Sequence, residues 1–447
     1  MASIPTTEQH AHDWEIDLDR LDNAARKAAL ERLTVEAPRL AANAPPDVNP
    51  GNLHAHSFHS FNCYNYSPAR YALLAKRGQM ENAGLVDFDV LAGLTEFHSF
   101  GRLLNLRTVV SLETRVYVPE FATRVINSPG EPGIAYHMAT GFAALPEQAA
   151  DRAFLAGLAQ RSARRTRSVV ERVNPYLDPV ALDFDRDVRP LTPSGNVTER
   201  HLVLAYARLA AHRMAASALL DFWTQKLGPG LTLADLPESP KLLNLIRAKT
   251  MKQGGPGYVQ PDPASFPTLA DFNAFARASG AIPTVTWLDG TSVGEQAMEE
   301  LCQLAAASGA CALNIIPDRN FTPGVKDQKL QHLYDVMALA ERLDWPVIAG
   351  TEMNSPGQRF VDQFESAELK PLVPAFQRGA RILYAHTALQ RAAGLGYLSP
   401  WAEQHFPRRA DRNTFYAELG QRLTPATESK LSGLSLTAKP EHVMAAK

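Results

Sequence analysis

Short apolar runs alternate with amphipathic stretches along two separated parts of this chain. Residues 13–37 predict a helix, with Leu18, Leu21, Leu30 and Leu33 set among charges. A loop follows in "AANAPPDVNPGN". "SPARYALLAKRGQMENAG" predicts a helix with Ser67 as its cap and Pro68 at its first position. "LVDFDVLAG" reads as a strand and turn, and "LTEFHSFGRLLNL" as a helix. "RTVVSLETRVYV" and "GIAYHMATGF" read as two strands. From about 145 to 250 the strand signal disappears. "LPEQAADRAFLAGLAQRSARRTRSVVERV" and "VTERHLVLAYARLAAHRMAASALLDFWTQKLG" predict long amphipathic helices there. From 267 the alternation resumes, with helices ending at Ala278 and starting at 293, 327 and 366. Between them lie the strands "AIPTVTWLD", "CALNIIP", "WPVIAGTEMN" and "RILYAH".

Strands alternating with helices imply a parallel sheet or barrel. The simplest architecture is an α/β fold, one distorted (β/α)7 TIM-like barrel carrying a helical insertion. The expected parts are an N-terminal helical extension (1–45), a first barrel part (46–144), a helical insertion (145–266), a second barrel part (267–400) and a C-terminal tail (401–447). The tail is expected to be loosely ordered after about 425.

Composition narrows the class. The chain has 447 residues and a formal net charge of −2. No basic field draws it to nucleic acid or membrane lipid. Its three cysteines, Cys63, Cys302 and Cys311, form no CxxC pair, which argues against a disulfide framework and fits a reducing cytoplasm. The first residues, "MASIPTTEQHAHDWEIDLDR", lack the basic and apolar regions of a signal peptide. No apolar run reaches the ~18 residues of a membrane span.

The candidate chemistry starts in "NLHAHSFHSFNCYNYSP", residues 52–68. His54 and His56 form an HxH pair, and on a strand both imidazoles share one face. The C-terminal ends of barrel strands are where such folds build their sites. Other predicted strands also finish in ligand-type residues: Asp87 and Asp89, Glu113, His137, Asp289, Glu352 and His386. A carboxylate such as Glu113 is of the type that bridges metals and helps activate a water. The competing reading is a polar loop whose histidines hydrogen-bond to backbone.

The same residues resemble the PHP family, named for polymerase and histidinol phosphatase, whose members are metal-dependent phosphoesterases. "NLHAHSFHS" with "YSPARYALLAKRGQMENAGLVDFDVLAG" resembles the family's opening, in which HxH precedes Ser-Pro, a helix and "ITDHDTLAG". "VVSLETRV", "AYHMATGF" and "AGTEMNS" are similar to its "GVEI", "HILGYG" and "GSDFH" segments. "ERHLVLAYA" and "GGPGYVQPDPASFPTLADFNAFARASGAIPTVTWLDG" resemble the middle of the branch containing nucleoside 3′,5′-bisphosphate phosphatases. The resemblance implies a seven-stranded barrel roofed by the insertion, with one or two divalent ions (Zn, Mn or Fe). It places His54, His56, Glu113 and Glu352 at one metal site, Glu352 standing for the usual Asp. It places Glu113 and His137 at a second site, with Trp287 where another histidine belongs. At a third site Phe61, Phe88 and Asn354 replace ligands, so that site is expected to be lost.

Substitutes are expected nearby. Asp289 or His59 would manage a proton. Arg200 and His201 match a segment that faces substrate phosphate in the family, and Lys249 and Lys252 precede a glycine turn suited to an anion. Asn354 would stand beside the substrate. Asp87 and Asp89 would orient the ligand histidines. The expectation is a metal-dependent hydrolase, a phosphoesterase on a small phosphorylated metabolite or nucleotide, with no stable nucleic-acid partner. The alternatives are a mononuclear non-phosphate hydrolase or lyase on the same barrel, and a non-catalytic binding protein.

Overall fold

The computed structural model describes residues 13–261, 263–321 and 326–446. Two helices, α1 (Asp13–Ile16) and α2 (Asn23–Ala42), precede the barrel. Seven strands then form one sheet in chain order: β1 (Asn49–Ala55), β2 (Met80–Phe88), β3 (Arg107–Tyr117), β4 (Ile134–Thr140), β5 (Ile282–Trp287), β6 (Ala312–Ile315) and β7 (Val347–Ala349). Neighbours pair in parallel except at β3–β4 and β4–β5, so β4 runs against the other six. The ring closes where Ala55 bridges Glu352. The architecture is a distorted seven-stranded TIM-like barrel.

Helices cover the outside. α3 (Pro68–Arg77) and α4 (Leu94–Leu103) join β1, β2 and β3. The Ser67 side chain caps α3 by accepting from Arg70 N at 3.1 Å, with Pro68 at the first position as the sequence predicts. Between β4 and β5 stand α5 (Ala149–Tyr176), α6 (Glu199–Arg213), α7 (Ala216–Leu227) and α8 (Pro240–Thr250). They bury a core of their own around Val173, Tyr206, Trp223 and Ile246. The single helix expected over 197–228 is two, because α6 stops at Arg213 and the chain is extended at Met214.

The barrel resumes with α9 (Leu269–Ala278), α10 (Val293–Gln296), α11 (Met298–Ala307) and α12 (Lys326–Arg342). The strand expected at "RILYAH" does not form. Those residues lie inside α13 (Val373–Ala393), and 382–386 are all buried. A short apolar run covered on every side has no period to distinguish strand from helix. Gly379 lets α13 press onto β7, since a Cβ there would meet Val347 O at 1.9 Å. The tail is ordered too. α14 (Pro400–His405), α15 (Arg409–Arg422) and α16 (Pro440–Ala445) bury Trp401, Tyr416, Leu419, Leu431 and Val443 against α13.

Candidate metal centre

β1 ends under the mouth of the barrel, and its two-residue period turns His54 and His56 to the interior. Glu113 comes from β3, opposite Phe88 of β2. His54 Nε2 and His56 Nε2 lie 3.3 and 3.4 Å from Glu113 Oε2. The three residues are 0%, 0% and 1% exposed. None of these three atoms has a hydrogen-bond partner. Buried polar atoms left bare are costly, about 1–3 kcal/mol each, so three facing one another call for a shared guest. Two imidazole nitrogens and a carboxylate oxygen fit a divalent cation of the zinc, manganese or iron type. Among the described residues no other group of three or more such donors converges.

The remaining ring nitrogens are held from behind. His54 Nδ1 meets Asn314 Oδ1 at 3.0 Å. His56 Nδ1 meets Ser60 Oγ at 3.2 Å, and that hydroxyl donates to Asp87 Oδ1 at 2.5 Å. Ser57 also ties Asp87, through its N–H at 2.9 Å and its hydroxyl at 2.8 Å. With acceptors on Nδ1, both Nε2 lone pairs face inward, the second layer that orients metal-binding imidazoles. Burial would raise the Glu113 pKa, but the two imidazoles facing it, His54 first, bring it down to about 2. Against its own burial, His54 is shifted upward by Glu113.

Glu352 approaches from the closing strand. Its N–H donates to His54 O at 2.6 Å, and its carbonyl accepts from His56 N at 2.9 Å. Glu352 and Met353 have φ of 66° and 56°, a left-handed pair that costs ~1–3 kcal/mol per residue and that marks functional segments. The Glu352 carboxylate turns to Arg319 Nη2, 3.2 Å from Oε2 and 3.3 Å from Oε1, and accepts from Gln358 Nε2 at 2.9 Å. Burial opposes its ionisation, yet Arg319 and His54 hold its pKa low. Its ligand atoms do not join the group formed by His54, His56 and Glu113.

Above this floor lies a cavity of about 440 Å³ between the barrel mouth and α5, α6 and α8. Phe88, Asn354, Ser60 and Glu352 line its base. Phe88 stacks on His56, with centroids 4.5 Å apart. Phe88 and Asn354, both uncharged, line the same cavity. Among the described residues the lining has seven cationic side chains and four carboxylates. Arg115 pairs with Glu131 at 2.7 Å. Arg247 and Lys252 share Glu199 Oε2 at 2.9 and 2.8 Å. Arg165 is 3.7 Å from Asp89 and lies over the Phe266 ring. Arg200 reaches Asn244 Oδ1 at 2.8 Å and the Ser355 hydroxyl. Burial, then the charges of Arg115 and Arg247 respectively, lower Arg165 and Arg200 to about 10. The cavity holds more positive charge than it neutralises.

Several predicted site residues stand elsewhere. His137 is on β4, one residue from Tyr136, which lines the cavity, so the strand's alternation points His137 outward. Its Nε2 meets Asn273 Oδ1 of α9 at 2.7 Å and its ring lies on Phe272. Burial lowers its pKa to about 4. The structure does not bring it to the floor. Trp287 is also on the outer face, in register with that side of β4. Asp289 sits in a turn whose N–H groups converge on Glu295, and its carboxylate binds Lys329 at 2.8 Å and Thr291. It is not part of the cavity. The His59 ring packs on Phe58, outside the cavity, where burial lowers its pKa. The His201 Nδ1 caps α6 by accepting from Thr198 N at 3.1 Å, and burial lowers its pKa to about 3. Lys249 is exposed, while Lys252 lines the cavity. His386, whose expected role is that of a satisfied structural histidine, belongs to α13, where Gly141 O and Tyr397 N take both ring nitrogens. His10 and His12, expected to have no role, lie outside the described residues.

Sequence reasoning missed Asn314, Tyr136, Arg115 and Arg165. Asn314 had a signal, as a lone polar side chain inside the apolar run "CALNIIP". Arg115 had one too, two residues beyond Glu113 and therefore on its face. Nothing local marks Arg165 among the six arginines of α5.

No family model matches the chain, and no curated protein matches it. Four solved chains match. One is an amidohydrolase from Chromobacterium violaceum with bound sulfate and no metal, with TM-score 0.49 and 16% identity, covering 73% of this chain and 96% of that one. Another is a proposed metal-dependent phosphoesterase from Bifidobacterium adolescentis, with TM-score 0.48 and 14% identity, covering 74% of this chain and 98% of that one.

Proposed function

We propose that this protein is a metal-dependent hydrolase acting on a small phosphorylated compound, a metabolite or nucleotide, bound in the cationic cavity. The observation that carries the reading is the convergence of three bare donor atoms, His54 Nε2, His56 Nε2 and Glu113 Oε2, beneath Phe88, which lines that cavity. A divalent ion held there supplies Lewis acidity and a water acidic enough to ionise near neutral pH. His54 and His56 present their lone pairs because Asn314 and Ser60 fix the opposite nitrogens. Arg200 and Lys252 receive the anionic group from the roof, with Asn354 at the base. The Tyr136 side chain lines the same space, and burial raises its pKa, so its hydroxyl stays protonated and donates to a substrate oxygen.

The test is a phosphate-release screen on the full chain loaded in turn with manganese, zinc and iron. Arg200→Ala is expected to lower turnover by ~10²–10³, as losing one charge-stabilising contact does, with metal content unchanged. An activity abolished by Glu113→Ala but untouched by Arg200→Ala and Lys252→Ala would move a non-phosphate hydrolase or lyase to first place.

One observation favours a second reading, a binding protein with a structural metal. The three donors are sealed behind Phe88, and closed sites are typical of structural ions. Under it, Glu113→Ala changes stability and nothing else.

A further inference from the structure

Glu352 is the acidic side chain best placed to add a fourth protein donor, yet its contacts point to another task. One Arg319 nitrogen lies within 3.3 Å of both its oxygens, and Gln358 donates to Oε2 at 2.9 Å. Its main chain is bonded to both His54 and His56. The Arg319–Glu352 pair is therefore fastened to the strand that carries the two histidines, and both residues line the cavity. The positive φ at Glu352 and Met353 is the bend that sets this aim. Other cations of the cavity have other anchors: Arg115 pairs with Glu131, Arg165 with Asp89, Arg247 and Lys252 with Glu199, and Arg200 with Asn244 and Ser355.

Charge balance makes the same point. The floor offers one group of three donors, enough for one ion. A carboxylate donor such as Glu113 offsets one charge of a divalent ion. A dianionic phosphoryl-type group placed there exceeds what remains, and a second positive charge within reach offsets the difference. Arg319 carries a guanidinium, which is charged at any working pH. A guanidinium has five N–H donors in a planar fork, so one edge can meet a carboxylate anchor and another a substrate oxygen.

We propose that Arg319 contacts the anionic group of the substrate beside the metal, and that Glu352 is its anchor and not a fourth metal donor. This rests on the reading of the site as a hydrolase of phosphorylated compounds. Arg319 is a catalytic residue in this scheme, and Glu352 a positioning residue.

The experiment uses the manganese-loaded full chain and inorganic phosphate as probe, followed by titration calorimetry, with metal affinity measured separately by chelator competition. Arg319→Ala is expected to weaken phosphate binding at least ~10-fold, the scale of a lost hydrogen bond to a charged group. Metal affinity should stay within a few-fold. Arg319→Lys, which keeps charge and bulk, should fall between the two. Glu352→Gln should weaken phosphate while sparing the metal. Thermal melts establish that each variant is folded, and Arg319→Gln replaces Arg319→Ala should that one not fold. Phosphate affinity unchanged in the Arg319 variants overturns the inference and leaves the hydrolase reading standing. Metal lost in Glu352→Gln overturns it as well, by making Glu352 a ligand. Wild-type protein that neither binds phosphate nor hydrolyses any phosphate ester overturns both together.

Discussion

His54 on β1 and His137 on β4 are both imidazoles on barrel strands, the first facing the interior and the second the outer helices, and both are essentially without solvent contact. Their surroundings differ. His137 spends its Nε2 on Asn273, and His386 and His98 have protein partners on both nitrogens. His54 and His56 have a partner only on Nδ1. Their ionisation differs as well. Burial takes His137 and His386 down to about 4, and the Glu113 carboxylate shifts His54 the other way. Burial is thus shared by structural and ligand-type histidines here. What separates them is that the bare Nε2 atoms of His54 and His56 converge on one carboxylate oxygen, whereas His137 faces Asn273 and Phe272.

The comparison breaks or sharpens by experiment. The largest effect belongs to Glu113→Ala, which should lower metal affinity by more than the ~10–100-fold that outer partners contribute. His137→Gln should leave it as in wild type. Equilibrium dialysis with elemental analysis reads both, and equal losses in the two variants would erase the distinction. Asn314→Ala and Ser60→Ala come next. Each frees one ring nitrogen from its guide, and each should reduce metal affinity by ~10–100-fold.

A pH series tests the satisfied class. His137 is buried neutral, with a folded pKa of about 4 against 6.5 unfolded. Between these values the unfolded chain binds the extra proton, so stability is full above pH 6.5 and falls as pH drops toward 4. The loss is about 1.4 kcal/mol per unit, ~3 kcal/mol across the window. His137→Gln should flatten that part of a thermal-unfolding profile. An unchanged acid limb would mean that His137 is protonated in the fold. The smallest effect is in the roof. Lys249→Ala should change stability by less than ~0.5 kcal/mol and leave phosphate binding untouched, because Lys249 is exposed and outside the cavity. A loss there like that of Lys252→Ala would extend the site beyond its present boundary.

Much of the fold was legible because its strands are short apolar runs between capped helices, as at Ser67–Pro68 and β3. The floor was legible for the same reason, since an HxH on a strand fixes which way both side chains face. Direction along the sheet was not. β4 reads like its neighbours but is antiparallel, and the sequence does not show that Tyr136, not His137, faces in. "RILYAH" misled because burial on all sides removes periodicity. Asp289 and His201 misled because their partners, Lys329 and Glu295 for the one and the α6 start for the other, are set by turns and caps whose geometry is tertiary. The arginines of the cavity were mostly invisible, since several owe their place to a partner distant in sequence, such as Glu199 for Arg247.

The closing bridge between Ala55 and Glu352 has a consequence for how the chain is made. His54, His56 and Glu113 all emerge within the first quarter of synthesis. The strand that completes the wall appears about 240 residues later, roughly 12–48 s at ~5–20 residues per second. During that interval β1 has an unpaired edge, and the two histidines stand beside an open seam. A cation meeting the nascent chain then has all three donors in reach before the wall can shut. Loading during translation avoids the sealed floor that a finished molecule presents. Protein made in metal-depleted cells and supplied with metal afterwards should therefore fill slowly, at a pace set by opening of the β1–β7 seam.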